Sequence, residues 1–459
     1  MSGVEEVLLS TTETIVACAT PPGNGGVGIV RLSGPLVPQL LVPLCGKTIK
    51  PRSAEYCIFR CPLSGEAIDE GIALYFPAPH SFTGESVLEL QGHGGMVVMD
   101  RLVQGVLTQD VRLARPGEFS ERAFLNGKMD LTQAEAIADL IHSTSEQGAR
   151  CALRTLQGAF SEAIASVVSL LISLRTYVEA ALDFPDEEID FIQQGDVNAR
   201  LVAILQAIED VFKQAQQGCL LQEGITAVIV GPPNAGKSSL LNALSGESLA
   251  IVTDIPGTTR DILRHHVHID GLPIHLLDTA GLRHSVDAVE QEGIRRAQQQ
   301  IDKADVLILV VDSTEVPWGE ELKALAQFVD ENLKLPPVII VRNKADLSME
   351  SIGCHDDDNS IRLVLSLKSR LGLGDFRHQL KKWVGFESMT EGMFTAKRRH
   401  MDALNQAKEH IKGALQQIGA SDLLAEELRL AQQDLGKITG EFTSDDLLGE
   451  IFSTFCLGK

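Results

Sequence analysis

Eight consecutive residues near the middle of the chain carry the clearest chemistry. Gly231-Pro232-Pro233-Asn234-Ala235-Gly236-Lys237-Ser238 has the spacing G-x-x-x-x-G-K-[S/T], that of a phosphate-cradling loop. The apolar, β-branched run Ile225 to Val230 before it reads as a buried strand, and Ser239-Leu240-Leu241-Asn242-Ala243-Leu244 after it reads as a helix start. In that setting successive backbone N–H groups from Asn234 to Ser239, with the positive end of the helix, can hold a polyphosphate. Lys237 would reach the β- and γ-phosphates, and the Ser238 hydroxyl would hold Mg²⁺.

Further signals follow in order. Thr253-Asp254-Ile255-Pro256-Gly257-Thr258-Thr259-Arg260-Asp261 supplies threonines that can close over Mg²⁺ and the γ-phosphate. In Asp278-Thr279-Ala280-Gly281, Asp278 would hold Mg²⁺ through water and the Gly281 N–H would meet the γ-phosphate. Asn343-Lys344-Ala345-Asp346 suits a guanine. The Asp346 carboxylate can accept from N1–H and the 2-amino group, an edge that adenine lacks, while the Lys344 stem lies on the base. Ser366-Leu367-Lys368 fits a last base-contacting loop. Five ordered elements predict a GTP-binding domain where a lone N-K-x-D would not.

Two departures set the expected mechanism. Leu282 stands where Ras-like enzymes place the glutamine that orients water. Glu290, twelve residues past Asp278, is the candidate replacement, its alternative being an ordinary solvated helix glutamate. Asn234 lies inside the phosphate loop, where its amide oxygen could coordinate a monovalent cation doing the charge work of an arginine finger.

The elements that must position these residues read as a mostly parallel sheet. Val306 to Val311 and Val338 to Val341 are buried strands, and Asp270-Gly271 joins Ile262–Ile269 to Leu272–Leu277 as a hairpin. Residues 1–118 alternate short β-like runs (Thr14–Ala17, Gly28–Leu32, Ser86–Leu90) with turns. Gly23–Gly28 formally matches G-x-G-x-x-G, but β-branched residues follow, so a turn between strands is expected rather than a dinucleotide site. Gln91-Gly92-His93-Gly94-Gly95 reads as a tight loop, and His93 alone supports no metal or catalytic role. Leu153, Leu156, Phe160, Ile164, Val167, Leu171, Leu174, Val178 and Leu182 predict one long amphipathic helix, stopped at the acidic turn Asp183–Glu188. Leu201, Ile204, Ile208 and Val211 mark a second helix, closed by Gly218. Met401 to Ile418 and a segment opening near Thr443 mark two more.

The expected architecture is multidomain α/β plus all-α. A small α/β domain spans 1–118, a helical domain 119–218 and 383–459, and a Ras-like P-loop domain inserted at 219–382. The 459 residues are 44% hydrophobic, enough for large cores, and the formal charge of −22 argues against a broad basic nucleic-acid face. Apolar runs such as Ala163–Leu174 stop short of the ~20 residues a span needs. No basic leader is evident, and eight scattered cysteines suggest a reduced, cytoplasmic protein without a zinc site.

Taken with the flanks, these residues resemble the tRNA-modification GTPase MnmE (TrmE) family over essentially the whole chain. The specific matches are Thr14–Ala17 with Gly25–Arg31, Leu90–Gly95, Arg115–Lys128, and the ending Phe455-Cys456-Leu457-Gly458-Lys459. Leu457 and Leu367 depart mildly from the family pattern. The resemblance implies a homodimer bridged by N-terminal domains that bind formyl-tetrahydrofolate or another one-carbon tetrahydrofolate. It also implies a complex, a heterotetramer or larger, with the flavoprotein MnmG. That complex places an aminomethyl or carboxymethylaminomethyl group on the wobble uridine of certain tRNAs, with tRNA held mostly through the partner. By match, Arg31, Glu89, Lys128 and Lys459 would serve the folate. Asn234, Thr253, Ile255 and Thr258 would hold K⁺, Ser238 and Thr259 Mg²⁺, and Glu290 would orient water. Cys456 reads equally as a nucleophile or a packed thiol. The rival class is a GTP-gated binding factor for ribosome assembly, which would ordinarily append an RNA-binding module; none is recognisable here.

Overall fold

The computed structural model describes residues 13–183, 196–245, 264–278, 301–302, 304–326, 335–357, 360–386, 393–441, 445–456 and 458. The chain divides into two compact units. One comprises Met1–Ile141, Thr155–Ile208 and Asp402–Lys459; the other comprises His142–Arg154 and Glu209–Met401.

In the first unit, β1 (Thr14–Cys18), β2 (Gly25–Ser33), β3 (Glu55–Arg60), β4 (Ala67–Phe76), β5 (Val87–Gly94) and β6 (Val111–Leu113) form a six-stranded sheet. Their order is β3-β4-β5-β2-β1-β6, antiparallel except for the β1–β6 pair. Period-two burial in β5 sends Leu88, Leu90 and Gly92 inward and leaves Glu89, Gln91 and His93 on the other face. The inward residues pack on α1 (Val37–Cys45) and α2 (Met96–Leu107).

Two glycine-rich stretches differ from expectation. Gly25–Gly28 belongs to β2, across an irregularity in its pairing with β5, and Gln91–Gly94 continues β5 as strand rather than loop. A side chain on Gly92 would collide with the Asp69 carboxylate at 2.3 Å, so glycine here serves close packing between strands, not turning.

The helices of this unit are α3 (Glu118–Leu125), α4 (Leu131–His142), α6 (Ala159–Asp183), most of α12 (Arg398–Gln416), α13 (Ser421–Thr439) and α14 (Asp445–Ser453); α5 (Glu146–Leu156) falls mostly in the second unit, and α7 (Val197–Glu223) is divided between the two after Ile208. The expected single helix through Leu153 and Leu182 is two, because Gly158 takes φ +99° and separates α5 from α6. Phe160, Ile164, Val167, Leu171, Leu174 and Val178 form one buried stripe on α6, which packs against α13. By length and hydropathy Ala159–Leu182 would suffice for a membrane span, contrary to the expectation from apolar runs. Its single buried stripe, and an Arg175 tied to Glu179 and Gln432, are those of an amphipathic helix.

In the second unit, β7 (Ile225–Val230), β8 (Arg264–Ile269), β9 (Leu272–Asp278), β10 (Val306–Asp312), β11 (Val338–Asn343), β12 (Gly353–Asp357) and β13 (Ser360–Val364) form a sheet ordered β12-β13-β11-β10-β7-β9-β8. The five central strands are parallel, with antiparallel β12 and β8 at the edges. The helices described around this sheet include α8 (Lys237–Ser245), α9 (Glu321–Leu325), α10 (Ala345–Ser348) and α11 (Leu373–Trp383). Strand β10 is buried along its whole length, as a sheet covered on both faces requires. The second helix does not close at Gly218; α7 runs on to Glu223 and ends at Gly224 in the left-handed region. Gly218 instead admits the Phe394 carbonyl, which would lie 1.8 Å from a Cβ there.

Candidate nucleotide site

The site is assembled at the carboxyl ends of β7, β10 and β11, where a parallel sheet with crossovers leaves its crevice. Strand β7 delivers the phosphate loop and α8 (Lys237–Ser245) leaves it. Gly231, at φ +147°, brings the loop so close to β10 that a Cβ would stand 2.0 Å from the Val310 carbonyl oxygen. Asn234 also takes a left-handed conformation, φ 60°, which asparagine tolerates better than most residues.

Lys237 is buried, and its Nζ donates to the Gly231 and Pro232 carbonyls at 2.8 Å each. The ammonium is therefore aimed along its own loop and can exchange these acceptors for phosphate oxygens. Asn234, Ser238 and Ser239 are exposed, while Ala235 is buried beneath the loop.

The residues expected to read guanine converge from two segments. Asn343, at the end of β11, points back into the loop: its Nδ2 donates to the Ala235 carbonyl at 2.9 Å and its Oδ1 accepts from Leu367 N–H at 3.1 Å. The Asp346 Oδ1 accepts from Ser366 Oγ at 2.7 Å, which fixes the carboxylate at the opening of the site. Lys368, two residues beyond Ser366, is exposed.

Lys344, in a left-handed conformation, ends 2.5 Å from the Asp312 carboxylate. Burial pushes the Asp312 carboxyl up, but Lys344 and the Thr314 donors outweigh it and hold it below the usual range. Hydrogen bonding to Asp312 in turn raises Lys344. Sequence reasoning missed Asp312; the signal was an acidic residue closing the wholly apolar run Val306–Val311 at a strand's carboxyl end.

Several expected site residues lie outside the described residues: Thr253, Ile255, Thr258, Thr259, Thr279, Ala280, Gly281, Leu282, Glu290 and Lys459. Asp278 is described only in its backbone, paired with Ile229 at the end of β9.

The expected folate residues divide. Arg31 and Glu89 are cross-strand partners on β2 and β5, joined by contacts of 2.9 and 2.8 Å. The Arg31 guanidinium also donates to the Gly458 carbonyl at 3.2 Å and stands between the Phe82 and Phe119 rings. Lys128 donates instead to the Pro79 carbonyl at 2.9 Å. A carboxylate–guanidinium pair beside the half-buried Phe82 ring suits a flat heterocycle carrying an amino edge, while Phe119 is wholly buried behind the guanidinium.

Cys456 is exposed, and among the described residues no cysteine forms a disulfide. Among the described residues no group of three or more His, Cys, Asp or Glu could hold a metal ion.

Residues 131–456 match the family described as MnmE helical domain, and residues 14–128 match that described as GTP-binding protein TrmE N-terminus. The chain is 55% identical over 454 residues to the tRNA modification GTPase MnmE of Vibrio parahaemolyticus, covering 98% of this chain and 100% of that protein. Identity and both coverages are the same for the protein of that name from Pseudomonas aeruginosa. For the one from Pectobacterium carotovorum identity is 54% over 455 residues, with 98% of this chain and 100% of that protein covered.

Proposed function

Because this chain belongs to the MnmE (TrmE) family, we propose that it is a GTP hydrolase whose cycle serves modification of the wobble uridine in tRNA. The observation that carries this reading is the double hydrogen bond of Asn343. It locks the phosphate loop to the base-reading segment so that one guanine nucleotide can span both. Family likeness supports the finer reading: a cytoplasmic homodimer that works with the flavoprotein MnmG and a one-carbon tetrahydrofolate.

Lys237 would neutralise charge on the β- and γ-phosphates, and Ser238 and Asn234, both exposed, would hold Mg²⁺ and K⁺. When bound, these ions supply electrostatic stabilisation of the charge that develops as the γ-phosphoryl transfers. Glu290 would orient the attacking water that Leu282 cannot. Arg31 and Glu89 would hold the folate, the carboxylate at the amino edge of its pterin.

Hydrolysis should rise steeply in K⁺ and not in Na⁺, whose smaller radius would not span the loop oxygens. Asn234→Ala should lose that activation while keeping most of its GTP affinity. Glu290→Ala should lower turnover by about 10²–10⁴ with little change in binding. Equal rates in the two salts would overturn the cation assignment in favour of an arginine supplied in trans. Equilibrium dialysis with formyl-tetrahydrofolate tests the wider reading. No binding would shift weight to a GTP-gated assembly factor.

A further inference from the structure

We propose that the β8–β9 hairpin carries a divalent transition-metal site formed by the imidazoles of His266 and His275. The two are directly opposed across the strands. Their Nδ1 atoms stand 2.7 Å apart, with ring centroids 4.7 Å apart and planes at 85°. This chemistry differs from that of the nucleotide site, whose cations prefer oxygen.

The hydrogen bonds assign the protons. His275 Nε2 lies 3.0 Å from the Glu223 carbonyl oxygen, which can only accept, so Nε2 carries the hydrogen. A neutral His275 therefore presents its lone pair at Nδ1, toward His266. Without metal, His266 supplies the proton in that contact from its own Nδ1. Moving that proton to Nε2 leaves two Nδ1 lone pairs converging on one point. The Glu223 carbonyl is the outer partner that orients and polarises a metal-bound histidine.

Metal–nitrogen bonds of about 2.0–2.1 Å at a tetrahedral angle place the nitrogens on the order of 3.3 Å apart. A small rotation of the exposed His266 ring reaches that spacing from the present one. Neutral imidazoles suit Zn²⁺, Ni²⁺ or Cu²⁺ rather than Mg²⁺. Water would complete the shell.

The surroundings keep the geometry. Lys381 pairs with Asp270 at the turn, and the Gln147 amide fills the space where a side chain on Gly271 would stand. His268 lies two residues along β8, on the same strand face as His266.

Calorimetric titration of the full chain with Ni²⁺ tests the assignment. One equivalent should bind in the unaltered protein, and His266→Asn and His275→Asn should each weaken it at least about tenfold. Guanosine diphosphate affinity should be unchanged in both, showing that they fold. His410→Asn, at a histidine that faces Glu427 and Asp434, should bind Ni²⁺ as the unaltered protein does. Undiminished binding in His266→Asn, or its loss in His410→Asn, would overturn the proposal. So would a thiolate charge-transfer band on substituting Co²⁺, which would place the ion on cysteine.

Discussion

On the proposed reading, Asn343 and Asp346 have different parts in holding the nucleotide, a division their shared motif conceals. Asn343 is buried and spends both ends of its amide on the protein, on the Ala235 carbonyl and the Leu367 N–H. Asp346 is exposed and braced by Ser366, with one oxygen placed by that hydroxyl. Base discrimination is therefore expected to rest on Asp346. Asp346→Asn swaps acceptor for donor toward the guanine edge and should shift preference toward xanthosine triphosphate. The gain should be at least about tenfold, as for a polar pair that is exchanged rather than lost. A competition assay with labelled GTP measures it, and an unaltered ratio would mean that the base is read elsewhere. The motif residues were legible in the sequence because their types and spacing are dictated by phosphate and guanine chemistry. Asp312 was not, because its partner Lys344 is 32 residues away and only the parallel pairing of β10 with β11 brings the two together.

At the scale of elements, α3 joins the N-terminal sheet through an ion-pair network. Glu118 is buried and accepts from Arg112 at 2.5 Å, from Arg122 at 3.0 Å and from the Arg115 N–H at 2.8 Å. Arg122, equally buried, reaches Glu85 at 3.0 Å and the Glu13 carbonyl at 2.8 Å. Burial pushes the Glu118 carboxyl up, but the arginines and the backbone donor outweigh it and bring it to about 2. A carboxyl depressed in the folded state stabilises fully above its ordinary value near 4.5, and that contribution is lost as pH falls toward about 2. Glu118→Gln should thus cost on the order of 3 kcal/mol at neutral pH, since it removes the buried anion that Arg112 and Arg122 share and leaves them only Glu13 and Glu85. It should also flatten the decline in melting temperature between pH 5 and 3, and an unchanged acid profile would mean that other carboxylates set it. Elements were legible where one period dominated, as in the apolar run that became β10. They were misread where helical spacing carried across Gln157-Gly158, and at Gly218, because apolar periodicity senses neither a left-handed glycine nor a neighbouring carbonyl that needs its space.

Across the whole molecule, the contact of greatest consequence for the folate proposal joins residues 427 positions apart: Arg31 donates to the carbonyl of Gly458. Composition and periodicity gave no hint of it. Only likeness to a family's tail residues pointed there, because a short segment with no apolar period leaves no signature of where it docks. Gly458 takes φ +87°, and a Cβ there would stand 2.5 Å from the Cys18 carbonyl oxygen at the end of β1. Gly458→Ala must therefore move this segment off the sheet, freeing the guanidinium that Glu89 also holds. If the tail helps to shape the folate site, the substitution should weaken formyl-tetrahydrofolate binding at least about tenfold, the cost of losing one oriented hydrogen bond to a charged group together with its packing. The nucleotide residues belong to the other compact unit, so intrinsic GTP hydrolysis should be unchanged. Equilibrium dialysis and a phosphate-release assay on the same preparation separate the two effects. Full folate affinity in Gly458→Ala would remove the tail from the site and leave Arg31 and Glu89 to hold the ligand alone.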